Sequence, residues 1–266
     1  MRLSRFLVAL VAVLALYGAP HVLAADVTDI GFLDQSQLAA VPAFVNANRQ
    51  FTAFRTGLQR EFEGRARKAR SPQDQQKLAA EFQSRLANKQ RELFGPLFAA
   101  AQTAIASIAS SKALSVVVDK RIVIVGGQDI TKNVVDLLNS PGSPVPPVTT
   151  PPPSTVGWVD QTQIDQLDQF KKAQDEFVKF SEDQRRSAQD RLKSAKTDAD
   201  RQKVYADYQK AIDDKRDQIV KPLVDQTRAA IETVARKKGL ILVIDRQNLI
   251  FGGTDVTADV VSLLKK

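Results

Sequence analysis

The chain of 266 residues contains no cysteine, one histidine and one methionine. The absence of cysteine excludes disulfides and thiolate metal sites, and a chain this poor in histidine lacks the usual general base of a serine nucleophile. The remaining carboxylate, lysine and tyrosine side chains form no catalytic pattern that stands out. The composition therefore argues against an enzyme, and we expect neither a metal nor a cofactor.

The only histidine and the only methionine lie in an N-terminal segment that has the features of a secretory leader. Arg2 and Arg5 precede an apolar run over residues 6–16, and the small Ala24 ends the segment. This pattern predicts a signal peptide over residues 1–24, because the apolar run is too short to serve comfortably as a membrane anchor. With no cysteine for lipid attachment, the product is expected to be a soluble protein of the periplasm.

The rest of the chain repeats itself. Residues 30–138 correspond to residues 156–264 at a constant offset of 126 positions, without an insertion or deletion. A period this long exceeds a solenoid repeat, so each copy is expected to be a small domain with its own core. We predict modules over residues 25–139 and 156–266, joined by a proline-rich linker over residues 140–155 that acts as a semi-rigid spacer.

Each copy has the apolar spacing of a long helical hairpin. Apolar residues recur every seven positions, with further apolar residues between them, and this spacing is typical of a coiled-coil seam. The apolar residues stop near residues 69–74 and 195–200, where new helix caps indicate that the chain turns back. We expect an outgoing helix of about 34 residues, roughly 50 Å long, and a returning helix that continues through Pro96 or Pro222.

Short strands on either side of each hairpin predict a small β body. The first copy opens with a strand at 30–33, and two buried strands joined by a tight turn are expected at 114–119 and 122–125; the second copy repeats this pattern. Paired glycines permit positive backbone angles where the last strand ends, and an Asp-x-Thr motif is expected to cap a final helix. These residues are Gly126, Gly127, Gly252, Gly253, Asp129, Thr131, Asp255 and Thr257. The predicted fold is α+β, predominantly α, with two tandem modules, each a small β body bearing a long antiparallel coiled-coil hairpin arm.

This order of elements, present twice, resembles the Skp/OmpH family of periplasmic chaperones. The most specific segments are Leu240-Ile-Leu-Val-Ile-Asp245 with Asp255-Val-Thr-Ala-Asp-Val260, and Val116-Val-Val-Asp119 with Asp129-Ile-Thr131. The resemblance implies β bodies whose hairpin arms surround an unfolded outer-membrane protein in a trimer. Family members usually carry one module. The duplication therefore leaves open a homo-oligomer of two stacked trimeric bodies, intramolecular pairing of the two modules, or modules that share partners.

The predicted function is that of an ATP-independent periplasmic holdase, which binds unfolded outer-membrane β-barrel proteins and prevents their aggregation in transit. We expect the apolar side chains of each seam mainly to hold the two helices of the arm together. Part of each side chain is expected to remain exposed for contact with a client. The candidates are Phe44, Phe51, Phe54, Leu58, Phe62, Phe170, Phe177 and Phe180. The alternative function is an envelope spacer or adaptor, a coiled-coil protein without a client cycle.

The positive charge of the chain is uneven. Residues 30–138 hold 15 Lys and Arg against 9 Asp and Glu, whereas residues 156–266 hold 21 against 19. The tip of the first arm concentrates this surplus in Arg60, Arg65, Arg67, Lys68 and Arg70. Exposure to solvent would explain why an arm end is charged, but not why only the first tip has an excess of positive charge. We therefore expect this tip to bind an anionic membrane surface or acidic client segments. Nucleic acid is not an expected partner of an exported protein.

Overall fold

A computed structural model describes residues 27–68, 71–147 and 150–265, which form two compact units. The first unit contains the described residues up to Ser154 together with Asn248–Gly253, and the second contains Thr155–Gln247 and the residues from Thr254 onward. The predicted signal peptide and Arg70 lie outside the described residues. The two modules and the predominantly helical α+β fold are confirmed.

The first unit contains four helices: α1 (Gln35–Ala39), α2 (Pro42–Ala66), α3 (Pro72–Ser111) and α4 (Thr131–Asn139). The prediction of one outgoing helix is wrong, because the chain leaves the helical conformation at Val41, whose φ is −60° and ψ is 132°. A residue that precedes proline is disfavoured in the α region, and Pro42 follows directly. The buried Val41 packs against Phe44 and Ala101, so the break also contributes to the core. The helix that forms the arm, α2, has only 25 residues.

The second unit repeats this arrangement with α5 (Gln161–Asp165), α6 (Asp168–Ser194), α7 (Asp198–Lys238) and α8 (Thr257–Leu264). The outgoing helix is again broken, at Leu167, where φ is −65° and ψ is 143°. No proline follows this residue, and its side chain packs against the core of the unit. Because the same break occurs with and without proline, packing at the base of the arm is sufficient to impose it.

The ends of the arms are closed by the predicted caps. Ser71 Oγ accepts a hydrogen bond from the Asp74 amide at 3.1 Å, at the start of α3. Thr197 and Asp200 form a reciprocal capping box at the start of α7. Both returning helices are continuous through their internal prolines, Pro96 and Pro222, as the periodicity predicted. We define α2 with α3 as the first arm and α6 with α7 as the second arm.

Each unit has a small sheet whose central strand opens the module. In the first unit, β1 (Ile30–Leu33) pairs in parallel with β2 (Val116–Asp119) and with β3 (Gln128–Asp129). In the second unit, β4 (Val156–Val159) pairs in parallel with β5 (Leu242–Asp245) and with β7 (Thr254–Asp255). The connection from each central strand to its first neighbour is the entire arm. The predicted strands at the start of each module, and the first strand after each arm, are confirmed.

The predicted hairpins after the arms are not formed. In the first module, Lys120–Ile122 is a 3-10 turn, and the Ile124 and Val125 side chains are 96% and 91% exposed. In the second module the strand does form, as β6 (Leu249–Gly252), but it pairs antiparallel with β2 of the first unit. The order of the first sheet is therefore β3-β1-β2-β6, whereas that of the second is β5-β4-β7. Pairing with β6 covers the edge of β2, where Val116 and Val117 are fully buried.

Candidate functional site

A row of aromatic rings joins the two helices of the first arm near the body. The ring of Phe98 lies 5.7 Å from that of Phe44 and 6.1 Å from that of Phe94, and the Phe94 ring lies 6.0 Å from that of Phe51. These separations are typical of favourable aromatic pairs. We call Phe44, Phe51, Phe94 and Phe98 the aromatic row.

Phe98 exposes 55% of its surface and is the most solvent-accessible ring of the aromatic row. The helix that carries it is unusually apolar. Among the described residues, α3 alone contains an 18-residue stretch that could cross a membrane by length and composition, with a mean hydropathy of 1.4, and only 22% of that stretch is buried. A contiguous apolar surface that remains open to water is typical of an interaction site. The aromatic row and the open face of Phe98 are therefore the best candidate for a binding surface.

Phe98 was not among the predicted candidates. The apolar spacing of the returning helix runs through Leu93 and Leu97. Phe94 and Phe98 therefore lie one position beyond that seam, on the adjacent strip of the helix. Two phenylalanines four residues apart, displaced from the seam, were the available signal. In the second arm the corresponding residues are Val220 and Val224, which are half-buried. This aromatic surface thus belongs to the first copy alone.

The predicted candidates themselves lie mainly within the seams. Phe44, Leu58 and Phe170 are buried, while the remaining five are half-buried, namely Phe51, Phe54, Phe62, Phe177 and Phe180. Two of these rings have a cation over one face: Lys89 Nζ lies 5.9 Å from the ring centroid of Phe54, and Lys215 Nζ lies 5.7 Å from that of Phe180. The repeat preserves this cation–π pair, which leaves less of either ring for a ligand.

The tip of the first arm combines a neutralised network with unpaired cations. Arg65 donates two hydrogen bonds to the Glu81 carboxylate, at 2.7 and 2.8 Å, and Arg85 lies 2.8 Å from Glu61. The hydrogen bond from Arg65 lowers the pKa of Glu81 below its ordinary value, and that from Arg85 lowers the pKa of Glu61. Arg65 is therefore largely compensated.

Three other basic side chains of this tip are not neutralised by an acidic neighbour. Within the described residues, Arg60, Arg67 and Lys68 form no ion pair, and all three are exposed. The second arm differs, because its tip pairs Arg191 with Asp207 and Lys193 with Asp190. Ion pairing thus increases the difference in positive charge between the two tips that the composition predicts. Arg70 lies outside the described residues.

The Asp-x-Thr motifs fasten the last helix of each module to the residue that follows the central strand. Asp129 Oδ1 accepts a hydrogen bond from the Thr131 amide, as expected of a residue at a helix start. Thr131 is not a cap: the capping position is Ile130, and Thr131 Oγ1 instead accepts from the Asp34 amide at 3.0 Å. Asp255 and Thr257 repeat both bonds, with Asp160 as the donor to Thr257. These residues, which sequence analysis assigned to capping, hold the body together across the sheet.

The glycine pairs have the predicted backbone angles. Gly126 and Gly127 have φ values of 85° and 81°, and Gly252 and Gly253 both have 72°. Among the described residues there is no group of three or more histidine, aspartate or glutamate side chains that could hold a metal ion.

Comparison with protein families gave one result. The family model described as "Outer membrane protein (OmpH-like)" matches the chain twice, over residues 35–138 and 159–264. The two matches cover most of the chain and coincide with the two copies of the repeat. Neither the curated proteins nor the solved structures yielded a match to this chain.

Proposed function

Because this chain belongs to the OmpH-like family of periplasmic chaperones, we propose that it is an ATP-independent holdase for unfolded outer-membrane proteins. An unfolded β-barrel precursor exposes alternating apolar side chains and unpaired strand backbone, both of which aggregate in water. A holdase must cover such segments and release them again. The leader pattern of residues 1–24 supports export of the chain to the compartment where these clients travel.

The open face of Phe98 is the observation that carries the assignment of the binding surface. Phe98 is supported from below by Phe44 and Phe94, so its ring is held at the surface and does not collapse into the seam. Full burial of a phenylalanine is worth about 1.5–3 kcal/mol, and roughly half of this ring is available, which gives ~1 kcal/mol per contact. Weak contacts of this size retain a client only when many act together, and they permit release without ATP.

The proposal is tested by diluting an unfolded β-barrel protein out of urea and measuring light scattering. The chain from Ala25 onward should suppress scattering at a modest molar excess. Phe98→Ser should require about fivefold more protein for half-suppression, the factor expected for ~1 kcal/mol. Tyr205→Ser is the matched control, because Tyr205 is 61% exposed on the second arm and contributes no surface to the aromatic row.

The possible results separate two conclusions. No suppression by the unaltered chain would refute the holdase and favour the envelope spacer. Suppression that Phe98→Ser and Tyr205→Ser weaken equally would retain the holdase but refute the aromatic row as its binding surface.

A further inference from the structure

A buried aspartate at the end of a strand has different partners in the two bodies. In the first body this residue is Asp119, the last residue of β2, which is 1% exposed. Its carboxylate accepts hydrogen bonds from the Arg121 guanidinium at 2.7 Å and from the Gln35 side chain at 3.0 Å. A cation and an amide donor together compensate the burial of this charge.

The second body lacks the cation. The counterpart of Asp119 is Asp245, the last residue of β5, which is 7% exposed. Gln247 stands where the first copy has Arg121, and within residues 27–68, 71–147 and 150–265 no side chain forms an ion pair with Asp245. Its carboxylate accepts a hydrogen bond from the Gln247 amide at 2.9 Å. A buried charge of this kind is costly unless it is neutralised in another way.

A second carboxyl group lies close to Asp245. This group belongs to Asp165, which is half-buried and replaces Ala39 of the first copy. Gln161, the counterpart of the amide donor in the first body, donates to Asp165 Oδ1 at 2.9 Å. The second copy has therefore exchanged an arginine–aspartate pair for two neighbouring carboxyl groups.

The charges around Asp165 do not offset this pair. Burial raises the pKa of Asp165 above its ordinary value, the hydrogen bond from Gln161 opposes this shift, and the Asp245 and Asp160 carboxylates raise the pKa further. The Arg246 guanidinium, next to Asp245 in the chain, lies over the Trp158 ring, 5.2 Å from its centroid. The helices packed against α5 carry charges on Asp168, Lys171 and Lys172 of α6 and on Asp259 of α8, which is paired with Lys238 at 3.0 Å.

Asp165 lies where the second arm joins its body. It is the last residue of α5, and the break at Leu167 separates this helix from α6. The preceding residue, Ile164, is fully buried, and both Ile164 and Leu167 pack in the core of the unit. A charge on Asp165 therefore acts on the segment that attaches α6 to the core.

We propose that Asp165 and Asp245 form a pH-sensitive latch at the base of the second arm. The latch is stable when the two carboxyl groups hold one proton between them. It loosens when that proton is released to water, because two like charges then lie close together in a partly buried site.

The two bodies are expected to respond differently to pH. Asp165, with its raised pKa, contributes most to stability at acidic pH, and this contribution is lost as the pH rises through that pKa. Burial would also raise the pKa of Asp119, but the hydrogen bonds from Arg121 hold it below its ordinary value. Asp119 therefore stays ionised where Asp165 titrates. Mild acid stabilises the base of the second arm and leaves that of the first unchanged.

Amide exchange measured by NMR tests the latch at two equivalent positions of one chain. The Leu167 amide donates to the Ile164 carbonyl at 3.0 Å, and the Val41 amide donates to the Leu38 carbonyl at 3.1 Å. After correction for the intrinsic rate, the Leu167 amide should exchange several-fold faster at about pH 7.5 than at about pH 5. The Val41 amide is the internal control and should show no such change.

Two variants assign the effect to the carboxyl pair. Asp165→Asn still accepts from Gln161 but does not ionise, so it should abolish the pH dependence at Leu167. Gln247→Arg restores the arginine of the first copy at an exposed position, and it should reduce the pH dependence by pairing with Asp245.

Equal pH dependence at Leu167 and Val41 would overturn the proposal, as would an unchanged pH dependence at Leu167 in Asp165→Asn. An effect that Asp165→Asn abolishes but Gln247→Arg leaves intact would overturn the part assigned to Asp245. None of these outcomes depends on the binding of a client.

Discussion

Replacement of Gly252 by alanine should release β6 from the first sheet. Gly252 has a φ of 72°, and its Cβ would meet the Ser115 carbonyl oxygen at 2.1 Å and the Ser115 carbonyl carbon at 3.0 Å. Both atoms belong to the backbone, so no side-chain rotation relieves the overlap. Either β2 and β6 move apart or the pairing is lost.

The cost has two parts. An L-residue in the left-handed region costs roughly 1–2 kcal/mol wherever it occurs. Loss of the pairing adds the packing of Ile250 and Phe251, which are half-buried against the core of the first unit. At about 1.5–3 kcal/mol for a fully buried side chain, the two together contribute ~2–3 kcal/mol. The total expected destabilisation is ~3–5 kcal/mol, of which ~2–3 kcal/mol is the loss of the strand pairing and the rest is backbone strain.

Gly239→Ala separates the two parts. Gly239 has a φ of 66° at the end of α7, and nothing lies within 4 Å of its Cβ position. Its counterpart Ala113 already adopts a φ of 54°, so alanine is tolerated there at the backbone cost alone. Gly239→Ala should therefore lower stability without changing the first sheet.

Hydrogen exchange of the β2 amides that face β6 is the appropriate assay, because it reports this pairing and not the stability of the whole chain. An opening that is easier by ~2–3 kcal/mol accelerates exchange about thirtyfold or more. We expect this acceleration in Gly252→Ala and none in Gly239→Ala. Equal exchange of β2 in both variants would show that β6 does not protect the edge of β2.

Two further predictions concern charge. Burial raises the pKa of Asp165 above its ordinary value, the neighbouring Asp245 and Asp160 carboxylates raise it further, and the hydrogen bond from Gln161 opposes the shift. The stability of the second unit therefore falls as the pH rises through that pKa, so Asp165→Asn should stabilise this unit at pH 7, with a gain that disappears towards pH 4. Urea unfolding followed by the fluorescence of Trp158, the only tryptophan, measures this gain. A gain that is independent of pH would contradict the raised pKa. At the first arm tip, we expect several-fold weaker binding to anionic vesicles at low salt for the variant Arg60→Gln/Arg67→Gln/Lys68→Gln, at ~1 kcal/mol or less per charge. On the second tip, we expect a smaller loss for the control variant Arg185→Gln/Arg186→Gln/Lys193→Gln. Equal losses would refute a special role for the first tip.

Local pattern predicted the helices and central strands because their signals are local. Heptad spacing, the caps at Ser71 and Thr197 and the continuity through Pro96 each depend on residues within a few turns of one another. The break at Val41 was missed because an apolar residue before proline fits both a helix end and a continuing seam. Only its burial against Ala101, some sixty positions away, distinguishes the two.

The sequence pattern could not predict whether the second apolar segment after each arm forms a strand, or which sheet edge it pairs with. Ile122–Val125 and Leu249–Phe251 are both unbroken apolar runs followed by two glycines, yet Ile124 and Val125 are exposed whereas Leu249–Phe251 lies in β6. Strand pairing depends on which sheet edge is available, and that is a property of the assembled molecule. The proposed binding surface was not predicted for a related reason. The exposure of Phe98 results from how α2 and α3 pack, whereas periodicity indicates only how far a ring lies from the seam.

Because the module is duplicated within one chain, its two arms can have different surfaces and different roles, which a chain with a single module does not allow. In an assembly of one-module chains every arm has the same surface, so any substitution that improves client contact is imposed on all arms alike. Here every assembly contains both arms in equal number, and their surfaces have diverged. The first has Phe94 and Phe98 where the second has valines. At the first tip Arg60 and Arg67 form no ion pair, whereas their counterparts Arg186 and Lys193 are paired with Glu182 and Asp190. What stayed the same is the fastening of the body, with Thr131 and Thr257 accepting equivalent hydrogen bonds at 3.0 Å. Since these hydrogen bonds are retained in both bodies while the arm surfaces differ, we expect the difference between the arms to be where the function of this chain has diverged.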